Sequence, residues 1–445
     1  MKMVPKPPAD AIVWKDTAKL MKLIDLAKNP ILSRHYVHWD KLKHYKVDGF
    51  TTEELWSAAK LQRMGTLKPI SLRDTKGMPF QFSVPELVSE LLHEIDMGAG
   101  ATIGVPEPIT NPQTKKQYLI RSLMEEAITS SQLEGAATTR EVAKEMIRSG
   151  RKPRDVGEQM ILNNYLTMQR IAKLKGELLS PEMVFDIHKV ATEKTLSDPT
   201  AAGRFRREDE ERVVGDDFGE VFHNPPPSGQ LENRLKEMCD FANGKTPGFF
   251  VHPVVRAIIL HFWLVYDHPF VDGNGRTARA IFYWSMLHNK YWLFEFISIS
   301  AIIRKAPVKY GRSFLYSETD DNDLTYFIVA QTKVIKKAIE ELHDYINRKS
   351  LEMQELESQI RALDLFNHRQ VELIRHALKY PYEHYTIEGH RESHNIVYQT
   401  ARTDLLDLEK RGVLEKVMLG KKMTFSTPKD LVSKLRNIGK EFFKK

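Results

Sequence analysis

At 445 residues the chain is longer than a single hydrophobic core usually supports, so we expect two or three domains. Hydrophobic residues make up 42% and charged residues 28%, as in an ordinary soluble globular protein, and no segment is long and apolar enough to cross a bilayer. The start of the chain lacks the apolar stretch of a secretory signal, and one cysteine, Cys239, allows neither an internal disulfide nor a cysteine-based zinc site. We therefore expect a cytoplasmic protein. The net charge of +7 is too small for this length to indicate nucleic-acid binding by itself.

Residues 1–120 predict an N-terminal helical region. Leu20, Leu23 and Ile24 have the spacing of one helix face within residues 12–65, and residues 84–95 form a second amphipathic run. No combination of side chains in this region points to a particular chemistry.

Residues 121–179 predict connecting helices with one break. The helical pattern stops at Glu134-Gly135-Ala136-Ala137. It restarts where Thr138 and Glu141 have the spacing of a capping box, which predicts the start of the next helix.

The region 180–335 begins with a helix and then changes character. Ser180 as N-cap, with proline at the next position, predicts a helix over 181–194. Residues 203–227, with short β-branched and aromatic runs and three prolines, predict a β-hairpin. Helices are predicted near 230–242 and over 254–266, and the second of these leads directly into the most informative stretch of the chain.

That stretch is His268-Pro-Phe-Val-Asp-Gly-Asn-Gly-Arg-Thr-Ala-Arg279, and the apolar run after it predicts a buried helix. The motif therefore lies where a loop enters a helix N-terminus. Gly273-Asn274-Gly275 lets successive backbone N–H groups point toward one place, to which the helix dipole adds positive charge, and such a cradle binds phosphate or another anion. Arg276 and Arg279, three residues apart on the helix, add fixed positive charge.

Two further side chains of the motif suit chemistry on a phosphate. Asp272 lies at the edge of the cradle, and a single carboxylate beside phosphates is how Mg²⁺ is usually held. His268 supplies a base whose unperturbed pKa of about 6.5 suits proton abstraction near neutral pH. A lone histidine before proline is usually structural, and a lone Gly-Asn-Gly is usually a turn. The combination of base, carboxylate, cradle and two arginines within one short stretch predicts an active site instead.

The stretch matches the signature H-x-F-x-[D/E]-G-N-G-R-x-x-R at every defined position, so the chain resembles the Fic (Fido) family. The resemblance covers residues 180–335 and includes His252-Pro253, His261 and Ile187-His188. Residues 203–227 resemble the flap that clamps the substrate in this family. The resemblance implies a mainly α fold, with a helical catalytic core and one β-hairpin flap.

The resemblance implies a protein adenylyltransferase that uses ATP and Mg²⁺ to transfer AMP to a Ser, Thr or Tyr hydroxyl of a target protein or of itself. In such an enzyme His268 would deprotonate the target hydroxyl and Asp272 would bind Mg²⁺. Arg279 would hold the γ-phosphate. The α- and β-phosphates would be held by Asn274, Gly275 and Arg276. The other implied nucleotide-binding residues are Phe270 and Gly273 in the motif, Val213 and Val214 on the flap, and Tyr310 at the adenine. Relatives often carry an asparagine near the adenine, and this chain does not visibly fill that role.

A second motif, Ser130-Ser-Gln-Leu-Glu134-Gly135, resembles the [S/T]-x-x-x-E-[G/N] inhibitory helix that one Fic class carries before the catalytic core. A serine and a glutamate four residues apart on a helix usually face solvent. Because the full signature follows later in the chain, we interpret Ser130, Glu134 and Gly135 as regulatory. We predict that Glu134 restrains the enzyme by pairing with Arg279.

The C-terminal part predicts a winged helix-turn-helix domain over 363–445, joined by a linker helix over 336–362. Helices predicted at 369–379 and 400–411 precede a hairpin over 413–425. Residues 363–445 contain 16 Lys and Arg against 11 Asp and Glu, so a polyanionic partner would bind here.

If the winged helix binds DNA, the recognition helix starts at Val397 and exposes Gln399, Arg402 and Thr403, with Lys421 and Lys422 on the wing. The alternative is contact with a protein, which the acidic residues of the same helix favour: Asp404, Asp407 and Glu409.

Other functions stay open from the sequence. Fic relatives also remove AMP from modified proteins, and a carboxylate at Glu134 could orient the attacking water. Others transfer phosphocholine, phosphate or another nucleotide, although Asn274 and Arg279 favour nucleotide transfer with a diphosphate leaving group. In an alternative of a different class, the chain is a DNA-binding regulator with secondary Fic activity. We expect no membrane partner, and a homodimer is left open.

Overall fold

The computed structural model describes residues 2–8, 17–29, 32, 35–100, 112–210, 212–215, 219–362, 365–380, 383–419, 422–428 and 430–442. The chain divides into two compact units, Met1–Thr102 with Arg121–Glu340, and Ile103–Ile120 with Glu341–Lys445. The five segments proposed from the sequence stay a prediction as domains. Within the described ranges, no helix has both the length and the apolar character needed to span a membrane.

The N-terminal part of the first unit contains helices α1 (Thr17–Ala27), α2 (Trp39–Leu42), α3 (Thr52–Met64) and α4 (Glu86–Ile95) and the antiparallel strands β1 (Lys68–Arg73) and β2 (Pro79–Phe82). The hairpin corrects the prediction that residues 1–120 are helical. Ile70 and Leu72 on β1, and Phe80 and Phe82 on β2, are buried at every second position, which is the period of a strand.

A buried polar network joins this N-terminal part to the turn between two later helices of the same unit. Lys60 Nζ donates to Asp320 Oδ1 at 2.8 Å, and Arg63 donates to the hydroxyl of Tyr326 at 2.5 Å. The hydroxyl of Tyr36 donates to Asp323. Buried cations are stable only when paired in this way, so the network fixes α3 against the rest of the unit.

The rest of the first unit is helical, with one hairpin, as predicted. Its elements are α5 (Pro112–Leu133), α6 (Arg140–Ser149), α7 (Val156–Leu174), α8 (Pro181–Thr192), β3 (Val214–Gly215), β4 (Val221–His223), α9 (Leu231–Ala242), α10 (Pro253–Asp267), α11 (Asn274–His288), α12 (Ile299–Arg304), α13 (Pro307–Thr319) and α14 (Thr325–Ala362). Strands β3 and β4 are antiparallel and form the predicted hairpin, which is called the flap below. Both α5 and α14 continue across the boundary between the two units.

One predicted helix start is displaced by a residue. The N-cap of α6 is Thr139, whose hydroxyl accepts the N–H of Val142, and not Thr138. The carbonyl of Thr138 instead accepts a hydrogen bond of 2.9 Å from the side chain of Gln132 on α5. Two adjacent threonines have the same intrinsic capping ability, so a tertiary contact decides between them.

Helices α10 and α11 form the centre of the first unit and pack along each other. Nearly every residue of both is buried, including Phe262, Trp263, Tyr283 and Trp284. Since a helix that is apolar nearly all round has no solvent face, the pair is enclosed by the other helices. The loop that joins these two helices carries the motif, and its ends are therefore held rigidly.

The second unit contains α15 (His368–Lys379), β5 (His384–Tyr385), α16 (Ile387–His394), α17 (Tyr398–Lys410), β6 (Glu415–Leu419), β7 (Lys422–Ser426) and α18 (Leu431–Phe442), with the strands in the order β5-β7-β6. Ala401, Leu405 and Leu408 of α17 pack into its core. The predicted helices and hairpin are present, and the structure adds β5, α16 and α18, which the sequence did not predict. Gly420 and Lys421 lie outside the described residues, and the winged-helix assignment stays an interpretation.

Candidate active site

Helix α10 ends at His268 in a left-handed conformation. Its N-terminus has proline at the first position and His252 as N-cap, which accepts the N–H of Val254. At the other end His268 has φ 44° and ψ 55°, and its N–H donates to the carbonyl of Leu264 at 3.0 Å. A residue with a β-carbon is strained there by about 1 kcal/mol, so the conformation persists only because neighbouring contacts fix it.

Asn274 fixes the shape of the loop. Its Oδ1 accepts the N–H of Phe270 at 2.9 Å, and its Nδ2 donates to the carbonyl of Phe270 at 2.8 Å. The side chain of Asn274 is buried and both of its ends are used. The group of Asn274 that remains for a phosphate is therefore its backbone N–H in the first turn of α11, where helix N–H groups have no intrahelical partner.

His188 of α8 supports the same loop. Its ring stacks on Phe270 with centroids 3.7 Å apart and planes 9° apart. Nδ1 accepts the N–H of Gly203 at 3.0 Å, so the proton is on Nε2, which donates to the carbonyl of Asp272 at 2.9 Å. Burial lowers the pKa of His188 to about 4, which keeps this neutral tautomer. The ring of Phe270 is fully buried, and its contact with the nucleotide stays a prediction.

Arg206 joins the motif to the base of the flap. Its Nε donates to the carbonyl of His268 at 2.9 Å and its backbone N–H to the carbonyl of Pro269 at 2.9 Å. Its Nη2 donates to the carbonyl of Pro226, just after β4. Arg206 lies within residues 203–227, and no local pattern in the sequence predicts these contacts.

The N-terminus of α11 is shaped by two glycines. Gly273, the N-cap, has φ 81°, and a β-carbon there would lie 2.5 Å from Thr192. A β-carbon on Gly275 would lie 2.2 Å from Oε1 of Glu134. An oxygen of a negatively charged group thus already lies against the first turn of α11, at the positive end of the helix dipole.

Glu134 pairs with Arg279, as predicted. Nη2 of Arg279 donates to Oε1 of Glu134 at 2.9 Å and to the carbonyl of Ser130 at 3.0 Å, and its Nε donates to the hydroxyl of Ser130 at 2.8 Å. The side chain of Arg279 is 2% exposed and that of Glu134 is 24% exposed. Gly135, with φ 95°, lets the chain turn directly after Glu134.

Arg276 holds Asp272. Its Nη1 donates to the carbonyl of Ala191 at 2.7 Å, and its Nη2 lies 3.2 Å from Oδ2 of Asp272. Oδ1 of Asp272 accepts the N–H of Gly273 at 2.6 Å, and the side chain of Asp272 is still 54% exposed. Asp272 is therefore oriented by two donors and open to a ligand in the cleft.

Residues 178–286 match the model of the Fic/DOC family. This part of the chain is therefore similar to the Fic/DOC family. Over 204 residues it is 26% identical to a protein adenylyltransferase Fic of Nematostella vectensis, covering 44% of each chain. Over 107 residues it is 34% identical to a protein adenylyltransferase Fic of Aedes aegypti, covering 24% of this chain and 19% of that one. The chain thus aligns with less than half the length of these curated relatives.

The fold also resembles that of a solved structure. A Fic family protein from Desulfovibrio desulfuricans G20 superimposes with a TM-score of 0.52, covering 78% of this chain and 97% of the other. Sequence identity is 17%, so the similarity concerns the fold alone.

His268 is neutral near physiological pH. Burial lowers its pKa to about 4, and the charges of His223 and Arg206 act in the same direction. The carboxylate of Glu134 and the carbonyl of Val265 act in the opposite direction. Since a neutral imidazole can accept a proton, His268 is in the form that a general base requires.

The remaining predicted contacts lie around the cleft. The hydroxyl of Tyr310 lies 2.8 Å from Nε2 of His261, and stacking of Tyr310 on an adenine stays a prediction. Val213 and Val214 are in the flap, with Val213 59% exposed. Among the described residues, no group of three or more His, Cys, Asp or Glu side chains could hold a metal ion.

Proposed function

We propose that the chain is a protein adenylyltransferase that transfers AMP from ATP to a hydroxyl of another protein or of itself. The observation that supports this most is a neutral His268 close to the N-terminus of α11. The backbone N–H groups there can bind an anion, and Arg279 lies further along the same helix. The curated relatives are protein adenylyltransferases by name. Residues 178–286, which contain the signature, match the family model.

The residues of the cleft suit in-line transfer. The target hydroxyl gives its proton to His268; since Nδ1 is buried, Nε2 is the atom we assign. The resulting oxygen attacks the α-phosphorus of ATP, the bond to the β-phosphate oxygen breaks, and pyrophosphate leaves. Backbone N–H groups of the first turn of α11 and the guanidinium of Arg279 would bind phosphate oxygens. The chain's contribution is positioning and neutralisation of charge.

The site also fits Mg²⁺ bound together with a nucleotide. Asp272 presents an exposed carboxylate beside Gly273, and Arg276 orients it. One carboxylate cannot hold Mg²⁺ alone, so phosphate oxygens and water would supply the other ligands. The ion would neutralise charge on the phosphates.

Glu134 is proposed to restrain the reaction. Its oxygen lies where a phosphate oxygen would approach Gly275, and its pairing occupies the guanidinium of Arg279. The carboxylate of Glu134 and a γ-phosphate are both negatively charged, so Arg279 can bind only one of them at a time. Nucleotide bound beside Glu134 would have its α-phosphorus out of line with the target hydroxyl.

The test uses the purified full chain with ATP labelled at the α-phosphate, alone and with a cell lysate. We expect labelled protein bands with Glu134→Gly, weaker bands with the parent chain and none with Glu134→Gly/His268→Ala. Label in the double variant equal to that in Glu134→Gly would rule out His268 as the base. Loss of label from previously modified protein, without transfer, would favour AMP removal instead.

The second unit supports one further proposal, binding of DNA. Gln399, Arg402 and Thr403 of α17 are exposed. Asp404 and Asp407 of the same helix are engaged within the unit, Asp404 by Arg369 at 2.7 Å and Asp407 by Gln370 at 2.9 Å. Two of the three acidic residues that argued against DNA, Asp404 and Asp407, are therefore engaged away from the exposed residues of α17.

This proposal predicts salt-dependent binding to duplex DNA. Binding measured by fluorescence anisotropy should weaken by about 10³-fold or more between 50 and 200 mM salt if several phosphates are contacted. Arg402→Ala should weaken it further at fixed salt, with Arg391→Ala, outside α17, as the control. Salt-independent or undetectable binding would favour contact with a protein.

A further inference from the structure

His223, at the end of flap strand β4, has an acceptor at each ring nitrogen. Nδ1 lies 2.7 Å from Oε2 of Glu318 on α13, and Nε2 lies 2.7 Å from the backbone carbonyl of Tyr266 on α10. Neither oxygen can donate a proton when Glu318 is ionised. A neutral imidazole has only one N–H, so both hydrogen bonds form only when the ring is protonated.

The surroundings of His223 favour that charge. The carboxylates of Glu318 and Asp267 both face it, although Asp267 is paired with Arg234. The ring of Tyr266 lies with its centroid 4.6 Å away. His268 interacts electrostatically with His223. Arg206, which also acts on His268, donates to the carbonyl of Pro226 in the segment after β4. Burial opposes the charge, yet the balance with Glu318 raises the pKa of His223.

We propose that His223 is a positioning residue that, as an imidazolium, fixes flap strand β4 to α10 and α13 beside His268. Tyr266 and His268 belong to the last turn and the C-cap of the same helix, so the bond from His223 locates the strand relative to the base. Arg206 anchors the segment after β4 to the carbonyl of His268. The two contacts together set where the flap presents a target chain. This inference rests on the proposed function.

The same charge also affects the base. His223 lies close enough to His268 for its positive charge to add to the effect of burial and lower the pKa of His268. A protonated His223 therefore both holds the strand and keeps His268 in its basic form. Above the pKa of His223 one hydrogen bond is lost, and the strand is held less firmly.

A titration of the histidine side chains tests the charge without any enzymatic reaction. In the full chain labelled with ¹³C-histidine, the His223 signal is the one that disappears in His223→Gln. We expect its midpoint above the ordinary value of 6.5, and a lower midpoint in Glu318→Gln. A midpoint at or below 6.5 in the parent chain would overturn the proposal.

A kinetic test then examines positioning in the Glu134→Gly background. His223→Gln should lower the rate of protein labelling on the order of tenfold and abolish its decline at alkaline pH, while ATP affinity measured by calorimetry changes less than about twofold. Equal losses of ATP affinity and rate, or an unchanged pH profile, would contradict a positioning role. If Glu134→Gly labels no protein at all, the proposed function fails, and the titration still decides the charge of His223.

The control for both experiments is His252→Asn. His252 also contacts a carboxylate, Asp96, at 3.0 Å, but its Nδ1 accepts the N–H of Val254, so a neutral ring makes both bonds. Asparagine keeps an N-cap acceptor. The labelling rate and its pH profile should match those of Glu134→Gly alone.

Discussion

Glu134 and Arg279 form an ion pair of 2.9 Å across 145 residues of sequence, with the carboxylate against the first turn of α11. Ser130 holds the same guanidinium through its hydroxyl and its carbonyl. Buried Glu126, four residues before Ser130, accepts hydrogen bonds from Tyr283 of α11 and from Ser298 and Ser300. The C-terminal half of helix α5 is therefore fixed to the core, and this fixes the position of Glu134, which directly follows the helix.

Replacing Glu134 with Gly should increase AMP transfer, because it frees Arg279 and empties the place beside Gly275. The increase should exceed tenfold if the pair costs about 1.4 kcal/mol or more to separate. Labelling of protein by ATP measures it. Glu125→Gln, which removes a carboxylate from the same helix outside the cleft, is the control and should leave the rate unchanged.

The same variant should be less stable without nucleotide, since Arg279 stays buried and loses a partner. We expect the free energy of unfolding to fall by about 1–3 kcal/mol, partly recovered with ATP and Mg²⁺, as measured by thermal unfolding.

The double variant Glu134→Gly/Arg279→Ala should lose the increase in AMP transfer that Glu134→Gly produces. If the double variant keeps the gain, Arg279 is not the residue that Glu134 restrains.

His268→Ala should abolish transfer while leaving nucleotide binding close to that of the parent. A general base contributes typically 10²–10⁴-fold, and the ring makes no part of the anion cradle. Transfer and calorimetric ATP binding should be measured on the same sample, both in the Glu134→Gly background. Transfer within tenfold of the background would contradict the assignment.

Asp272→Ala should weaken ATP binding only when Mg²⁺ is present. With a single carboxylate the protein should bind no Mg²⁺ tightly in the absence of nucleotide. Calorimetry with ATP, with and without Mg²⁺, measures both. Asp186→Ala, a partly exposed aspartate paired with Arg170, is the control. Tight Mg²⁺ binding to the nucleotide-free chain would disprove this arrangement.

The sequence predicted several features that depend on residues close together in the chain, although it missed the β1–β2 hairpin and α16. The loop from His268 to Arg279, the apolar helices around it and the flap were all visible as local patterns. Glu134 was identified only because a short motif matched a known inhibitory helix. The contacts of Arg206, His188 and His223 were not predictable, since each joins positions 62, 84 or 95 residues apart and no local pattern marks such a partner.

Acid should destabilise the chain, because four buried histidines are neutral in the folded state. Burial lowers the pKa of His38, His188 and His268 to about 4, and that of His261 to about 3, from an ordinary value of 6.5. Between pH 6.5 and 4 the unfolded chain binds protons at these positions that the folded chain does not bind. The free energy of unfolding therefore falls as the pH falls, by up to about 1.4 kcal/mol per pH unit for each histidine.

Thermal unfolding followed from pH 8 to pH 4.5 measures this slope. His223 acts in the opposite direction, since its pKa is raised and its contribution to stability is lost as the pH rises through that value. His261→Gln should reduce the slope of the free energy of unfolding against pH by up to the contribution of one proton. The reason is that one site no longer titrates in the unfolded chain. His384→Gln, on an exposed strand residue of the second unit, is the matched substitution that should leave the slope unchanged. A melting temperature constant from pH 6.5 to 4.5 would show that these histidines are not held neutral by burial.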